Sequence, residues 1–326
     1  MKTFSPLIPL VVPSFSSKGN ILIFDFEKQK HISDNYSLLK ALDIKLAKTY
    51  LVSAYDIYYG LMPENIEEWP ETEYLFVDSG GYEINDSYDI SERNKYNYNV
   101  FPWNEELMLK VYDGVCNSAK FKNSHIVLSS FDSYSTFQEQ LENAQTLHNK
   151  FPAAFINCII KCKKIDEFIE YIKSSEISKY NITILGVAEK ELGRTVKERL
   201  INLITIRRVL YEQNWNGFLH VFGGMEPNLI KLYYAAGADI FDGLAWQRYW
   251  LEDNTWLLSK DKYNIDLDEY ENKYNMMCEN LFTIQNTEIN LSVMSKSRIE
   301  VQNELEKILL EFNNLKFEDI FKKLEV

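Results

Sequence analysis

The stretch Glu73-Tyr74-Leu75-Phe76-Val77-Asp78-Ser79-Gly80-Gly81-Tyr82-Glu83 joins an unbroken apolar run to a carboxylate and then turns at once through two glycines. A run without polar alternation reads as a strand covered on both faces, as in parallel sheets flanked by helices. The paired glycines let backbone approach a flat ligand closely and leave amide N–H groups exposed. Tyr82 can stack on such a ligand, and Asp78 can exchange a proton beside it. The same residues equally suit a tight strand-to-helix turn capped by Asp or Ser.

Working outward, runs of the same kind recur along the first 250 residues: PLIPLVVP (6–13), TYLVSAYD (49–56), HIVLSSFD (125–132), FINCIIKC (155–162), NITILGVAE (181–189), GFLHVFGG (217–224) and ADIFDGLAW (238–246). With 73–80 they make eight. ILIFDFE (21–27) sits between the first two as a hairpin or an excursion. Helical periodicity fills the gaps, over 35–48, 104–120, 136–151, 165–177, 195–213 and 226–237; the last carries Pro227 in its first turn and Gly237 past its end. Eight apolar strands alternating with helices predict an α/β fold, a (β/α)8 TIM barrel, with an open doubly wound sheet as the competitor. Asp78, Asp132, Lys161, Glu189, Gly223, Gly224 and Asp242 all fall at or just past the ends of runs. In a barrel those ends converge on one mouth.

Residues 1–250 are therefore read as the barrel and 251–326 as a C-terminal helical extension packed on it, since apolar positions recur at helical spacing over 295–315 and 317–326. The intervening stretch to residue 280 is acidic, polar and rich in Asn and Tyr. At 326 residues, 46% hydrophobic and 25% charged, the chain is neither disordered, collagen-like nor a coiled coil. Thirty-five basic against 48 acidic side chains leave a net charge of −13, which argues against gripping a polyanion through bulk charge and leaves room for a local groove. Cys116, Cys158, Cys162 and Cys278 form no repeated pair, so reduced thiols and a cytoplasmic setting are expected. Residues 5–15 are apolar but short and broken by three prolines, so no membrane association is expected.

A second informative segment is Ile240-Phe241-Asp242-Gly243, followed by Arg248. A carboxylate closing a strand there can serve as a nucleophile at a sugar carbon, or it can cap a turn or pair with Arg248. Together, DSGGYE (78–83) and IFDGLAWQR (240–248) resemble the tRNA-guanine transglycosylase (queuine/archaeosine tRNA-ribosyltransferase) family. Other pieces fall in that family's order: PLVVPSF, SAYDIYY, SSFDSY around Asp132, ILGVAEKELG around Gly186, and FGGMEPNLIKLYYAAGADIFD. The resemblance spans residues 5 to 250.

The resemblance implies exchange of a guanine in nucleic acid for a 7-deazaguanine by double displacement, with Asp242 as nucleophile and Asp78 as general acid/base. It implies that Asp132 reads the base edge and that Tyr82 stacks on it. Ser79, Gly80, Gly81, Gly186, Val187, Glu189, Gly223 and Gly224 would line the base site, and Arg248 and Arg194 would touch nucleic acid. The substrate base must leave its stack to be reached.

Four departures qualify what is implied. The family's structural zinc uses three cysteines and a histidine after the last strand. Here only Cys278 lies there and no histidine follows, so neither a metal nor a cofactor is expected. Lys161 stands where the family has a base-reading Gln; it lacks the amide's paired donor and acceptor, or it pairs with Asp132 or Glu189. Glu83 replaces a Gln and, with Glu189 and Glu191, adds acid near the mouth, which favours a cationic ligand. The missing basic subdomain and the negative charge favour DNA over tRNA, as in transglycosylases that insert deazaguanines into DNA. Accessory proteins and a homodimer or heteromer are compatible partners. Two readings compete with base exchange: a non-catalytic subunit that binds deazaguanine or nucleic acid, and a barrel hydrolase acting on free nucleosides. His31, His125, His148 and His220 show no metal spacing, and His220 reads as a core or rim histidine.

Overall fold

Apolar strands separated by capped helices close here into a barrel. The computed structural model describes residues 3–6, 8–17, 22–25, 30–33, 48–62, 66–84, 100–252, 255–258, 264–292, 297–312 and 314–324. From β1 (Leu10–Phe15) the chain passes through a hairpin, β2 (Leu22–Asp25) and β3 (Lys30–Ser33), to β4 (Thr49–Ser53). There follow β5 (Tyr74–Asp78), β6 (His125–Ser129), β7 (Phe155–Ile160), β8 (Ile184–Ala188), β9 (Phe218–Phe222) and β10 (Ile240–Gly243). The strands β4 to β10 pair in parallel in chain order, and β1 pairs with both β10 and β4. That closure excludes the open sheet. The ILIFDFE run is the first arm of an antiparallel hairpin inserted between the first two barrel strands.

The first strand runs on to Phe15 rather than ending at Pro13. Its ladder with β10 covers residues 10–13 and its ladder with β4 begins at Ser14, so the proline sits at the changeover, where a missing N–H costs least.

The helices are α1 (Ala54–Tyr58), α2 (Gly81–Ile84), α3 (Glu105–Asn117), α4 (Phe137–Lys150), α5 (Ile165–Ser174), α6 (Val196–Glu212), α7 (Pro227–Ala236) and α8 (Ala245–Arg248). Local chemistry sets their starts. Asn104 accepts from the Leu107 N–H, and Thr136 with Glu139 and Thr195 with Glu198 form capping boxes. Gly237 ends α7 in the left-handed region. The helix expected over 35–48 lies, except for Lys48, outside the described residues.

Alternate strand positions divide the core in two. Leu10, Val12, Leu51, Phe76, Val127, Ile184 and Ile240 fill the barrel, and Phe4 packs its ring on Tyr74, Phe155 and Phe218 at the strands' N-terminal ends. The opposite faces, with Leu75, Val77, Leu185 and Val187, meet the helices.

After a second hairpin, β11 (Tyr249–Glu252) and β12 (Thr255–Leu258), come α9 (Glu269–Ser292), α10 (Arg298–Glu311) and α11 (Phe317–Leu324). Sequence reading treated the start of α9 as a polar stretch. Its Met276, Met277, Leu281 and Ile284 are buried, but buried Asn272 and Asn280 interrupt the apolar stripe. The helix α10 packs on α6 and α7, and its Arg298 reaches the buried Asp239, which Arg207 also grips. Asn280 of α9 accepts from the Leu251 N–H (2.8 Å) and donates to the Trp246 and Tyr249 carbonyls (2.8 and 2.7 Å), which pins the segment after β10.

Candidate active site

At the C-terminal ends of the strands, the inward positions change from hydrocarbon to polar. Asp78 follows Tyr74 and Phe76 on the inside of β5, and Asp242 follows Ile240 on β10. Ser14 and Ser53 occupy the corresponding places at the ends of β1 and β4. Two adjoining cavities open at this mouth. One, of about 320 Å³, is lined by Asp242, Ser14, Met225, Arg248 and Tyr249; the other, of about 270 Å³, by Asp132, Ile159, Lys161, Glu189 and Lys190. Asp78, Tyr82, Phe222 and Gly223 line both.

Asp242 is buried and its carboxylate accepts three hydrogen bonds: from Ser14 Oγ (2.8 Å), the Gly223 N–H (3.0 Å) and His220 Nε2 (3.2 Å). Gly223 has φ +76° with open space where a Cβ would stand, so the backbone conformation that aims its N–H, not crowding, demands glycine. The Ser14 carbonyl accepts from Gln247 Nε2 (2.6 Å) and Trp246 Nε1 (3.2 Å), which holds Ser14 beside the acid.

Asp78 is partly buried, and its carboxyl is pushed up to about 7, first by burial and then by the charges of Glu83, Asp132 and Asp242. It is thus poised to give or take a proton near neutrality. Glu83 lies buried behind it, accepting from the Ser53 hydroxyl (2.7 Å) and the Ser16 hydroxyl. Deeper still, Asp56 accepts from the Ser17 N–H (2.6 Å) and hydroxyl, and burial followed by the Glu83 charge raises it well above the ordinary range.

At the second cavity, Lys161 Nζ lies 3.0 Å from Asp132 Oδ2 and 3.6 Å from Glu191 Oε1. Burial opposes its charge, but the two carboxylates outweigh that and raise it, so the ammonium is kept. Of the two pairings open to Lys161 in the sequence, the one with Asp132 forms. Gly81 packs so tightly that a Cβ would overlap the Asp132 side chain. Glu189 accepts from Arg199 Nη1 (2.6 Å) and the Tyr233 hydroxyl (2.7 Å). Of the acids expected to attract a cationic ligand, Glu189 pairs with Arg199 and Glu191 lies 3.6 Å from Lys161, whereas Glu83 accepts from serine hydroxyls, which leave its charge beside Asp78.

Several other candidates lie away from the cavity walls. Val187 points into the helical shell, and Gly186 faces inward beneath Phe222 and Asn157. Ser79 is buried with its carbonyl accepting from Trp103 Nε1 (2.8 Å), and Trp103 covers Gly80. Gly224 abuts Val221, and Arg194 is exposed, its backbone N–H donating to Glu198. Arg248 is buried in the wall of the first cavity, not on the outer rim. Sequence reading missed Ser14, Ser53, Phe222 and Asn157. The signal available for the serines was a polar residue at an inward position just after an apolar run.

The thiols of Cys116, Cys158 and Cys162 are pushed up to about 12, by burial above all, which makes them poor nucleophiles. Among the described residues, no group of three His, Cys, Asp or Glu side chains is arranged to hold a metal, and no helix is long and apolar enough to cross a membrane. One cysteine and no histidine follow β10, which does not fit a tetrahedral zinc set of three cysteines and a histidine. Fold and site together define a parallel (β/α)8 barrel with a polar, carboxylate-bearing mouth. The chain matches no family model and no curated protein.

Proposed function

We propose that the protein is a guanine transglycosylase that exchanges a guanine in nucleic acid, DNA in preference to tRNA, for a 7-deazaguanine base. One observation carries this reading: Asp78 is the single acid that lines both cavities, with Asp242 in one and Asp132 in the other. A proton shuttle between a sugar-side nucleophile and a base-side reader is what base exchange at an anomeric carbon requires.

In the first half-reaction an Asp242 oxygen bonds to C1′ while the glycosidic C–N bond breaks, its electron pair leaving with the guanine, which takes a proton from Asp78. In the second, Asp78 removes a proton from a ring nitrogen of the incoming base. That nitrogen bonds to C1′, and the C–O bond electrons return to Asp242. Asp242 attacks the face opposite the departing guanine and the incoming base attacks the face opposite Asp242, so two inversions retain configuration. A carboxyl near 7 serves both steps, since each needs the opposite protonation state. Tyr82 offers a ring to stack on the base at the shared wall, and Asp132 accepts from its N–H groups. Arg248 supplies a cation on the sugar-phosphate side. The net charge of −13 supports a narrow, local nucleic-acid contact.

The test is incubation of the folded protein with labelled guanine and either DNA or tRNA. Incorporation that disappears in Asp242→Ala is expected. Absence of incorporation into both polymers, also with cell extract added to supply accessory proteins, overturns the reading in favour of a binding subunit. Release of free base without incorporation overturns it in favour of a hydrolase.

A further inference from the structure

The polar chain behind Asp242 reaches deeper into the barrel than the mouth. His220 sits inside β9 with its side chain fully buried, its ring against Phe222 (centroids 4.0 Å apart) and edge-on to Phe76. Its Nε2 meets Asp242 Oδ1 at 3.2 Å, and its Nδ1 meets Asn157 Nδ2 at 3.0 Å. An ionised carboxylate only accepts and an amide NH2 only donates, so one tautomer satisfies both contacts: Nε2 carries the hydrogen and Nδ1 is bare. Asn157 itself stands on β7, one strand beyond β8, where Gly186 leaves space for it; a Cβ on Gly186 would come within 2.8 Å of Asn157 Oδ1.

The two oxygens of Asp242 are not equivalent. Oδ1 accepts from both His220 Nε2 and the Gly223 N–H, whereas Oδ2 accepts from Ser14 Oγ alone among the described residues. Each carboxylate oxygen offers two lone-pair sites, so Oδ1 is filled and Oδ2 keeps one free.

We propose that Asn157 and His220 are a positioning pair that holds Oδ1 and leaves Oδ2 of Asp242 as the attacking atom. The proposal rests on the reading of Asp242 as the nucleophile. When Oδ2 bonds to C1′, Oδ1 becomes the ester carbonyl oxygen and stays between the imidazole and Gly223 N–H groups. When the incoming base displaces the ester, the returning electron pair spreads onto an oxygen already held by two donors. A preorganised pair of donors at an oxygen that gains charge lowers the barrier to that step. Neither Asn157 nor His220 need touch the substrate; both act through Asp242.

The first test needs no activity. In full-length protein labelled with 15N-histidine, His220 is expected to show a protonated Nε2 and a bare Nδ1, and Asn157→Leu to weaken that preference. A protonated Nδ1 in the wild type overturns the pair. The second test is kinetic. His220→Phe, which keeps a ring and removes the donor, is expected to lower the exchange kcat ~100-fold, with KM for the polymer unchanged. His220→Gln, whose amide nitrogen can stand where Nε2 stands, is expected to recover much of the loss. Wild-type kcat in His220→Phe, or no recovery in a His220→Gln variant that melts like the wild type, overturns the proposal. If Asp242→Ala itself retains exchange, the nucleophile reading fails instead, and the tautomer measurement still decides whether the pair exists.

Discussion

Lys161 Nζ lies 3.0 Å from Asp132 Oδ2, so the residue that faces a base edge in the proposed reaction is already paired with a cation on the neighbouring strand end. Glu191 completes the cluster at 3.6 Å, and burial, only partly offset by Lys161, raises its carboxyl above the ordinary range. One ammonium is thus shared by two carboxylates in a partly dry site, which leaves the cluster short of one positive charge when both are ionised.

Replacing Lys161 by Met leaves both acids without that cation. The variant is expected to lose roughly 1–3 kcal/mol of stability at pH 8. The loss shrinks at pH 5, because protonation relieves an unpaired acid. Melting at the two pH values checks this, and an equal loss at both would show that packing, not charge, is what Lys161 contributes.

The raised carboxyl of Asp78 makes a stability prediction of defined sign. Its folded value of about 7 exceeds the ordinary 3.8, so its favourable contribution is complete below about 4 and is lost as pH rises through 7. Asp78→Asn should therefore be more stable than the wild type at pH 8, by roughly 1–3 kcal/mol once partial exposure is allowed for, and nearly equal to it at pH 4. The same variant should lose at least about 100-fold in base exchange. Denaturation at the two pH values, together with an exchange assay, measures both.

Gly81→Ala would drive a methyl into the Asp132 side chain. The expected outcome is a rise of about 10-fold or more in KM for the free base, and a rise in KM for the polymer, whose departing guanine would occupy the same site, with the circular dichroism spectrum unchanged. A variant with wild-type base affinity would show that Asp132 does not read the base.

Asn280→Ala removes three buried hydrogen bonds that tie α9 to Trp246, Tyr249 and Leu251. A loss of roughly 2–4 kcal/mol in urea denaturation is expected, because the strand groups left behind are hard to rehydrate. Arg248 and Tyr249 lie within the loosened segment, so KM for the polymer should rise as well. Unchanged stability would mean that water replaces the amide.

How much was legible beforehand depended on the range of each interaction. The strand ends at Asp78 and Asp242 and the helix bounded by Pro227 and Gly237 could be found because apolar runs, glycine turns and helix start and stop signals are local. The partners of the Ser14 and Ser53 hydroxyls could not, since they lie 228 and 30 residues away. Glu83 lines the first cavity, near the mouth as its sequence neighbours suggest, but its bonds to Ser16 and Ser53 from the short helix that Gly81 starts join segments 67 and 30 residues apart. The start of α9 reads as polar because buried Asn272 satisfies backbone groups of the turn before the helix and Asn280 those of the segment after β10, roles that no periodicity reveals.

By itself the sequence determined the alternation of strands and helices, the closing chemistry of each strand and the sign of the overall charge, all of which follow from neighbours along the chain. It took the folded barrel to show that the sheet closes, that Lys161 pairs with Asp132, and that His220, Gly223 and Ser14 converge on one carboxylate with Asn157 behind the histidine. Those relationships join five different strands, β1, β6, β7, β9 and β10. Closure of the barrel brings them within hydrogen-bond range, and burial there is what moves the proton affinity of Asp78 to where it can serve both halves of a reaction.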